Sequence, residues 1–296
     1  MQRVLTTGNF DGCHLGHALL FDEVKKQSII QNLEPLVISF EPHTQIVLKP
    51  DQFSGCLTLN YEKERILTEE FGLNLTLLPF TSGFRKLTAV EYVRDILIGD
   101  LKMKSWVVGY DHRFGKAGSA TESQLTQLLQ RNNINLIRIP AYQIDDSVVS
   151  SGLVRKSLMA SDISSVNRFC NRKYSFEGRV IPGDGIGRQI GFPTANLKID
   201  SLKMLPPPGV YGGTTQIGSK NSKCVLNIGM RPTFSGNDLR IEVHLLDFNE
   251  DIYGQKLLVK LDLAVRKEKK FSGVEELKHQ ILQDIKKVRG ILEEEE

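Results

Sequence analysis

The chain has 296 residues, 40% of them hydrophobic and 25% charged, with a formal net charge of +3 at pH 7. That length accommodates two domains, because single hydrophobic cores stop growing near it. The small net charge, with no stretch interleaving basic and aromatic residues, argues against a nucleic-acid partner. No segment reaches the roughly 18 apolar residues that a membrane span needs.

The first residues lack the apolar core of a signal peptide. Cys13, Cys56, Cys170 and Cys224 are scattered with no C-x-x-C pair, which points away from a zinc site or a disulfide framework and towards a cytoplasmic location.

In chain order, apolar runs predict strands at Arg3–Thr7, Pro35–Ser39, Leu75–Leu78, Trp106–Gly109 and Asn135–Ile139. Helical patterns fall between them at 17–30, 60–70, 89–99 and 121–132. Strands separated by helices imply βαβ units, a parallel sheet and a Rossmann-like α/β domain. Residues 151–169 read as a final helix and connector, which sets the expected boundary at 168/169. Beyond it, runs at 174–181, 210–217, 223–228, 240–246 and 257–263 are cut by Gly, Pro and Asn, as in a small antiparallel β-barrel. A terminal helix should start at Ser272, with Glu275 closing a capping box. Its Leu277, Ile281, Ile285 and Val288 should pack on the barrel.

Three segments carry chemistry. Gly8–His17 reads G-N-F-D-G-C-H-L-G-H directly after the first strand. Its glycines permit close backbone approach to a ligand, and Asp11 can orient a ring or cap the turn. If the turn opens a helix, His14 and His17 lie at its N-terminus, where N–H groups and the dipole favour phosphates. At Val149–Arg155, V-S-S-G-L-V-R offers the hydroxyls of Ser150 and Ser151 at a helix start. Arg155 there can grip a pyrophosphate with its two-pronged guanidinium; the plain alternative is an N-cap with a surface arginine. From Gly183 the chain reads G-D-G-I-G-R-Q-I-G-F-P-T-A-N-L. It lacks the spacing of a Walker A loop or a dinucleotide fingerprint. Gly183, Gly185, Gly187 and Arg188 still suit a loop over phosphates, and Thr194 and Asn196 offer neutral oxygens for Mg²⁺. By themselves these residues fit a glycine-rich hairpin equally well.

The Gly8–His17 segment resembles the H-x-G-H signature of nucleotidylyltransferases. In its longer form it is similar to the adenylyltransferase domain of bacterial bifunctional riboflavin kinase/FMN adenylyltransferases (FAD synthetases). S-F-E-P-H at Ser39–His43, L-P-F at Leu78–Phe80, G-Y-D-H-R-F-G-K at Gly109–Lys116 and Val149–Arg155 agree with it. G-F-P-T-A-N resembles the riboflavin kinase signature. So do P-G-V-Y at Pro208–Tyr211, N-I-G-M-R-P-T-F at Asn227–Phe234, E-V-H-L-L-D-F at Glu242–Phe248, I-Y-G at Ile252–Gly254 and R-K-E-K-K-F at Arg266–Phe271. Departures are Gly152 in place of Ser or Thr, Tyr110 and His112 flanking Asp111, and Cys13 in place of an aliphatic residue.

The resemblance implies two activities. Residues 169–296 would phosphorylate riboflavin from ATP to FMN, with Glu242 as base, Thr194 and Asn196 serving Mg²⁺, and Arg266 and Phe271 at the flavin. Residues 1–168 would transfer AMP from ATP to FMN, giving FAD and pyrophosphate. Gly8, Phe10, Asp11, His14, His17, Asp111, Arg113, Ser150, Ser151 and Arg155 would form that site. Three other readings stay open: activity in one domain alone, transfer of a nucleotide by the first domain to a different phosphate acceptor, and a flavin-binding protein without catalysis.

Overall fold

The computed structural model describes residues 1–112, 122–218, 220–233 and 236–294, without the side chains at 122, 220, 231–233, 236–238 and 293–294. It divides between Ser151 and Gly152 into two compact units.

The first unit holds a parallel sheet of β1 (Arg3–Thr7), β2 (Glu34–Glu41), β3 (Leu75–Pro79), β4 (Met103–Gly109) and β5 (Asn135–Ile139), in the order β3-β2-β1-β4-β5. Successive side chains of a strand face opposite ways, so Val4 joins the core under the helix Leu15–Gln31, whereas Leu5 joins the opposite core. Val107 and Trp106 of β4 divide in the same way. Both faces are covered, as a parallel sheet requires. The chain leaves β1 for β2 on one side and later places β4 on the other. That reversal puts a crevice at the C-terminal end of β1, where such sheets bind ligands. A short hairpin of β6 (Gln143–Ile144) and β7 (Ser147–Val148) follows.

The second unit starts earlier than the expected 168/169 boundary. The segment 151–169 is two helices, Ser151–Met159 and Ile163–Cys170, broken where Ser161 takes a left-handed φ of 59° and Asp162 caps the next helix by accepting from Ser165 N. Ile163, Val166 and Cys170 are buried, and the Asn167 amide donates to Leu261 O. These contacts attach the second helix to the barrel.

The barrel is closed by β8 (Tyr174–Ile181), β9 (Ala195–Ile199), β10 (Gly209–Ile217), β11 (Lys220–Thr233), β12 (Gly236–Leu245) and β13 (Lys256–Lys267), in the order β10-β11-β12-β9-β8-β13. Strand β9, hidden in the sequence behind G-F-P-T, joins β12 to β8. The terminal helix spans Val274–Glu294. Glu276, rather than Glu275, closes on Ser272, accepting from both its backbone N–H and its hydroxyl. Ile285 and Val288 pack with Val210, Val225 and Leu246, whereas Leu277 and Ile281 line a cavity. Among the described residues, no helix is long and apolar enough to cross a membrane.

Candidate functional sites

Beyond β1 the backbone folds back on itself. Gly8 N donates to Ile38 O of β2, and Phe10, Gly12 and Cys13 take positive φ values of 47°, 87° and 39°. Only glycine adopts φ +87° without strain, and Gly12 N donates from there to the Thr58 hydroxyl at 2.9 Å. The Asp11 carboxylate, 3% exposed, accepts from Thr58 N at 3.0 Å. Asp11 therefore braces the turn.

His14 precedes the first turn of the helix Leu15–Gln31, and its ring stacks on that of His17 with centroids 3.7 Å apart. Phe10 lies edge-on to His17 at 5.3 Å and to Phe21 at 5.1 Å, so it supports the histidine from the core. The two imidazoles and the first N–H groups of the helix thus converge on one end of the sheet. Ser151 donates its hydroxyl to Asp11 O at 2.7 Å, holding the same turn from the far end of the unit. Ser150 precedes it, partly buried, and Arg155 lies four residues along the helix that Ser151 begins. Asp111 is exposed just past β4, and Arg113 lies outside the described residues.

Sequence reading missed the support beneath this turn. Lys63, 2% exposed, donates to Ser39 Oγ at 2.8 Å, and Ser39 donates to Asn9 O at 3.2 Å. Burial pushes the Lys63 pKa down, while the Cys13 thiol and the Asp11 carboxylate oppose that shift. A buried lysine in a helix of the pattern N-Y-E-K-E-R-I carries no signal that separates it from its exposed neighbours. The ring contacts of Phe40, Phe80, Phe84 and Tyr92 were missed as well, although Phe40 and Phe80 stand in the S-F-E-P-H and L-P-F segments. The four residues form a chain of rings 5.5–5.7 Å apart near the ends of β2 and β3.

His112 packs edge-on against Trp106 with centroids 5.4 Å apart. Burial pushes its pKa down to about 4, with Arg138 adding to the shift and Asp111 opposing it. The unfolded chain, with a histidine pKa near 6.5, then binds more protons between these values. His112 should contribute about 3 kcal/mol above pH 6.5, lost progressively as the pH falls to 4. Urea titrations across that range check this: His112→Phe should flatten the decline.

In the second unit, a cavity of about 350 Å³ is lined by Gly185, Gly187, Thr194, Asn196, Arg240, Glu242, Arg266, Phe271 and Asp284, among others. Glu242 of β12 is the register partner of Asn196 of β9, which fixes their proximity. A side chain at Gly183 would run into the Asn196 amide, so the glycine-rich segment lies directly on that residue. Gly183→Ala should displace it at a cost of about 1–3 kcal/mol. The expected readout is a lowered melting temperature of the folded chain.

Arg266 is held by Asp284, donating from Nε at 3.0–3.1 Å, and its guanidinium lies 5.6 Å from the Phe271 ring centroid. Asp284 is buried and was not singled out in the sequence. Arg188 lies apart from the other loop residues, in a second cavity of about 290 Å³ with Phe248, Asn249, Glu250, Asp251 and Tyr253. Thr194 lines both cavities. Among the described residues, no group of three or more His, Cys, Asp or Glu side chains could hold a metal ion. Thr194 and Asn196 line the larger cavity, where the Asn196 Oδ1 accepts from Arg240 Nε at 3.0 Å.

The FAD synthetase family model matches residues 1–153 and the riboflavin kinase family model matches residues 170–292. A bifunctional riboflavin kinase/FMN adenylyltransferase of Escherichia coli (strain K12) is 34% identical over 283 residues, covering 95% of this chain and 90% of the relative. One of Bacillus subtilis (strain 168) is 32% identical over 287 residues, covering 96% and 90%. A crystal structure described as that of a macrolide-efflux protein from Streptococcus pneumoniae superposes with a TM-score of 0.89 at 30% identity, covering 97% of this chain and 94% of that one. With both units matched and the relatives aligned over nearly their whole length, the chain belongs to the bifunctional riboflavin kinase/FMN adenylyltransferase family.

Proposed function

We propose that the second unit transfers the γ-phosphoryl group of ATP to the 5′-hydroxyl of riboflavin, and that the first unit joins the resulting FMN to AMP from a second ATP. The observation that carries the kinase reading is Thr194 at the meeting point of two cavities, with Glu242 and Asn196 beside it. The larger cavity, with Phe271, Leu277 and Ile281, suits a flavin ring; the smaller, with Arg188 and the polar residues 249–251, suits the nucleotide. Glu242 takes the proton of the attacking hydroxyl. Thr194 and Asn196 would hold Mg²⁺, which when bound neutralises charge on the phosphates. The glycine-rich segment covers them.

In the first unit the FMN phosphate is already a nucleophile at pH 7, so no covalent enzyme intermediate is needed. His14, His17 and the N–H groups of the helix start stabilise the charge that builds on the α-phosphate. The Phe40–Tyr92 ring chain at the same sheet edge is where an isoalloxazine would stack. We place both reactions in the cytoplasm, which the four buried cysteine thiols support. The partners are riboflavin, FMN and ATP, without nucleic acid or membrane.

Incubation of the protein with riboflavin, ATP and Mg²⁺, followed by separation of the flavins over time, tests this reading. FMN should rise first and FAD second. Flavin binding without ATP consumption would replace catalysis by storage.

A further inference from the structure

Arg240 stands two residues before Glu242 on β12, so both side chains leave the same face of the strand. Its Nε donates to Asn196 Oδ1 at 3.0 Å and lies 3.1 Å from Glu242 Oε1. Its Nη1 donates to Asp184 Oδ2 at 3.0 Å. One cation thus ties together the oxygen proposed to serve Mg²⁺, the carboxylate proposed to take the substrate proton, and the glycine-rich segment that covers both.

These contacts are built to be exchanged. The Arg240, Glu242 and Asp184 side chains are 27%, 31% and 42% exposed, so each ion pair is weak. A guanidinium matches the oxygens of a phosphoryl group with two parallel hydrogen bonds and stays charged at any working pH. A divalent cation at Asn196 Oδ1 would also repel a guanidinium 3.0 Å from that atom. Arrival of nucleotide and metal therefore pushes Arg240 off Asn196 and offers it a better partner.

We propose that Arg240 is a γ-phosphate-binding residue of the kinase site that, before ATP enters, occupies the cation's place between Asn196, Glu242 and Asp184. The proposal rests on the kinase reading of this cavity. When ATP binds, the guanidinium moves to the phosphoryl oxygens. Glu242 is then freed for the riboflavin hydroxyl, Asn196 for the metal, and Asp184 with its loop for closure over the phosphates. Hydrogen bonds are exchanged in this step and no covalent bond changes.

The full-length chain tests it through two variants expected to act in opposite directions. Arg240→Gln should lower kcat/KM for ATP in FMN formation about 10- to 100-fold, the loss of charge-assisted bonds to phosphate. Asp184→Asn keeps Arg240 but cuts its tether, and should lower the KM for ATP. Hydrogen exchange of residues 183–192 in unliganded protein should quicken about threefold in both, the worth of a partly exposed ion pair. Arg240→Lys, charged but without the fork, should fall between wild type and Arg240→Gln in kcat/KM. If Arg240→Gln does not fold, Asp184→Asn and Arg240→Lys carry the test alone.

The proposal is overturned if Arg240 variants keep wild-type kcat/KM, if Asp184→Asn raises the KM as Arg240→Gln does, or if loop exchange is unchanged. Failure of the underlying reading looks different: the wild-type chain itself would make no FMN.

Discussion

Glu242→Gln is expected to lower FMN formation from riboflavin by about 10²–10⁴-fold while leaving the conversion of supplied FMN to FAD intact. The amide keeps the shape of the side chain at the register pair with Asn196, so the barrel should stay folded. What it loses is the ability to accept the proton of a primary alcohol as that alcohol attacks phosphorus. A pH profile taken with the residual activity should lose its base-dependent limb. Loss of both activities in a folded variant would mean that the two reactions share a site, and the division of labour proposed here would be wrong.

His17→Ala should do the reverse. FAD formation from FMN is expected to fall about 10²–10³-fold, the usual consequence of removing one donor aimed at developing charge. Riboflavin phosphorylation should continue at the wild-type rate. Because His17 also stacks on His14 and rests on Phe10, a thermal melt should accompany the assay. His17→Asn, which keeps a donor in a smaller side chain, should recover part of the rate. Equal rates of FAD formation in His17→Ala and wild type would remove the histidine pair from the mechanism.

The local pattern of this chain made much of the fold legible. Alternating apolar runs and helical segments marked the parallel sheet, and β1 and β5 fall at the residues expected of them. The change to short runs broken by Gly, Pro and Asn marked the barrel. Strand β9 escaped because the polar segment before it, with Pro193 and Thr194, reads as loop. The two-helix break at 160–162 escaped because a left-handed serine carries no pattern of its own. Glu275 and Glu276 are adjacent acids, and only the path of the chain decides which one reaches Ser272.

The candidate sites divide in the same way. Gly8–His17 was readable because one contiguous segment contains both the backbone geometry and the functional groups. The braces around it were not: Thr58 reaches Gly12 across 46 positions, and Lys63 supports Asn9 only through Ser39. Asp284, which fixes Arg266, sits among the ordinary polar residues of a terminal helix.

By itself the sequence determined that there are two units of different construction, and that one carries a histidine pair in a glycine-rich turn and the other a glycine-rich segment followed by Thr194 and Asn196. Tertiary structure alone decided which atoms meet. The register that pairs Glu242 with Asn196, and the return of the loop that brings Asp184 to Arg240, join residues 46 and 56 positions apart. The physical reason is that backbone propensities act over a few neighbouring residues, whereas strand register in a closed barrel is set by the packing of the whole core.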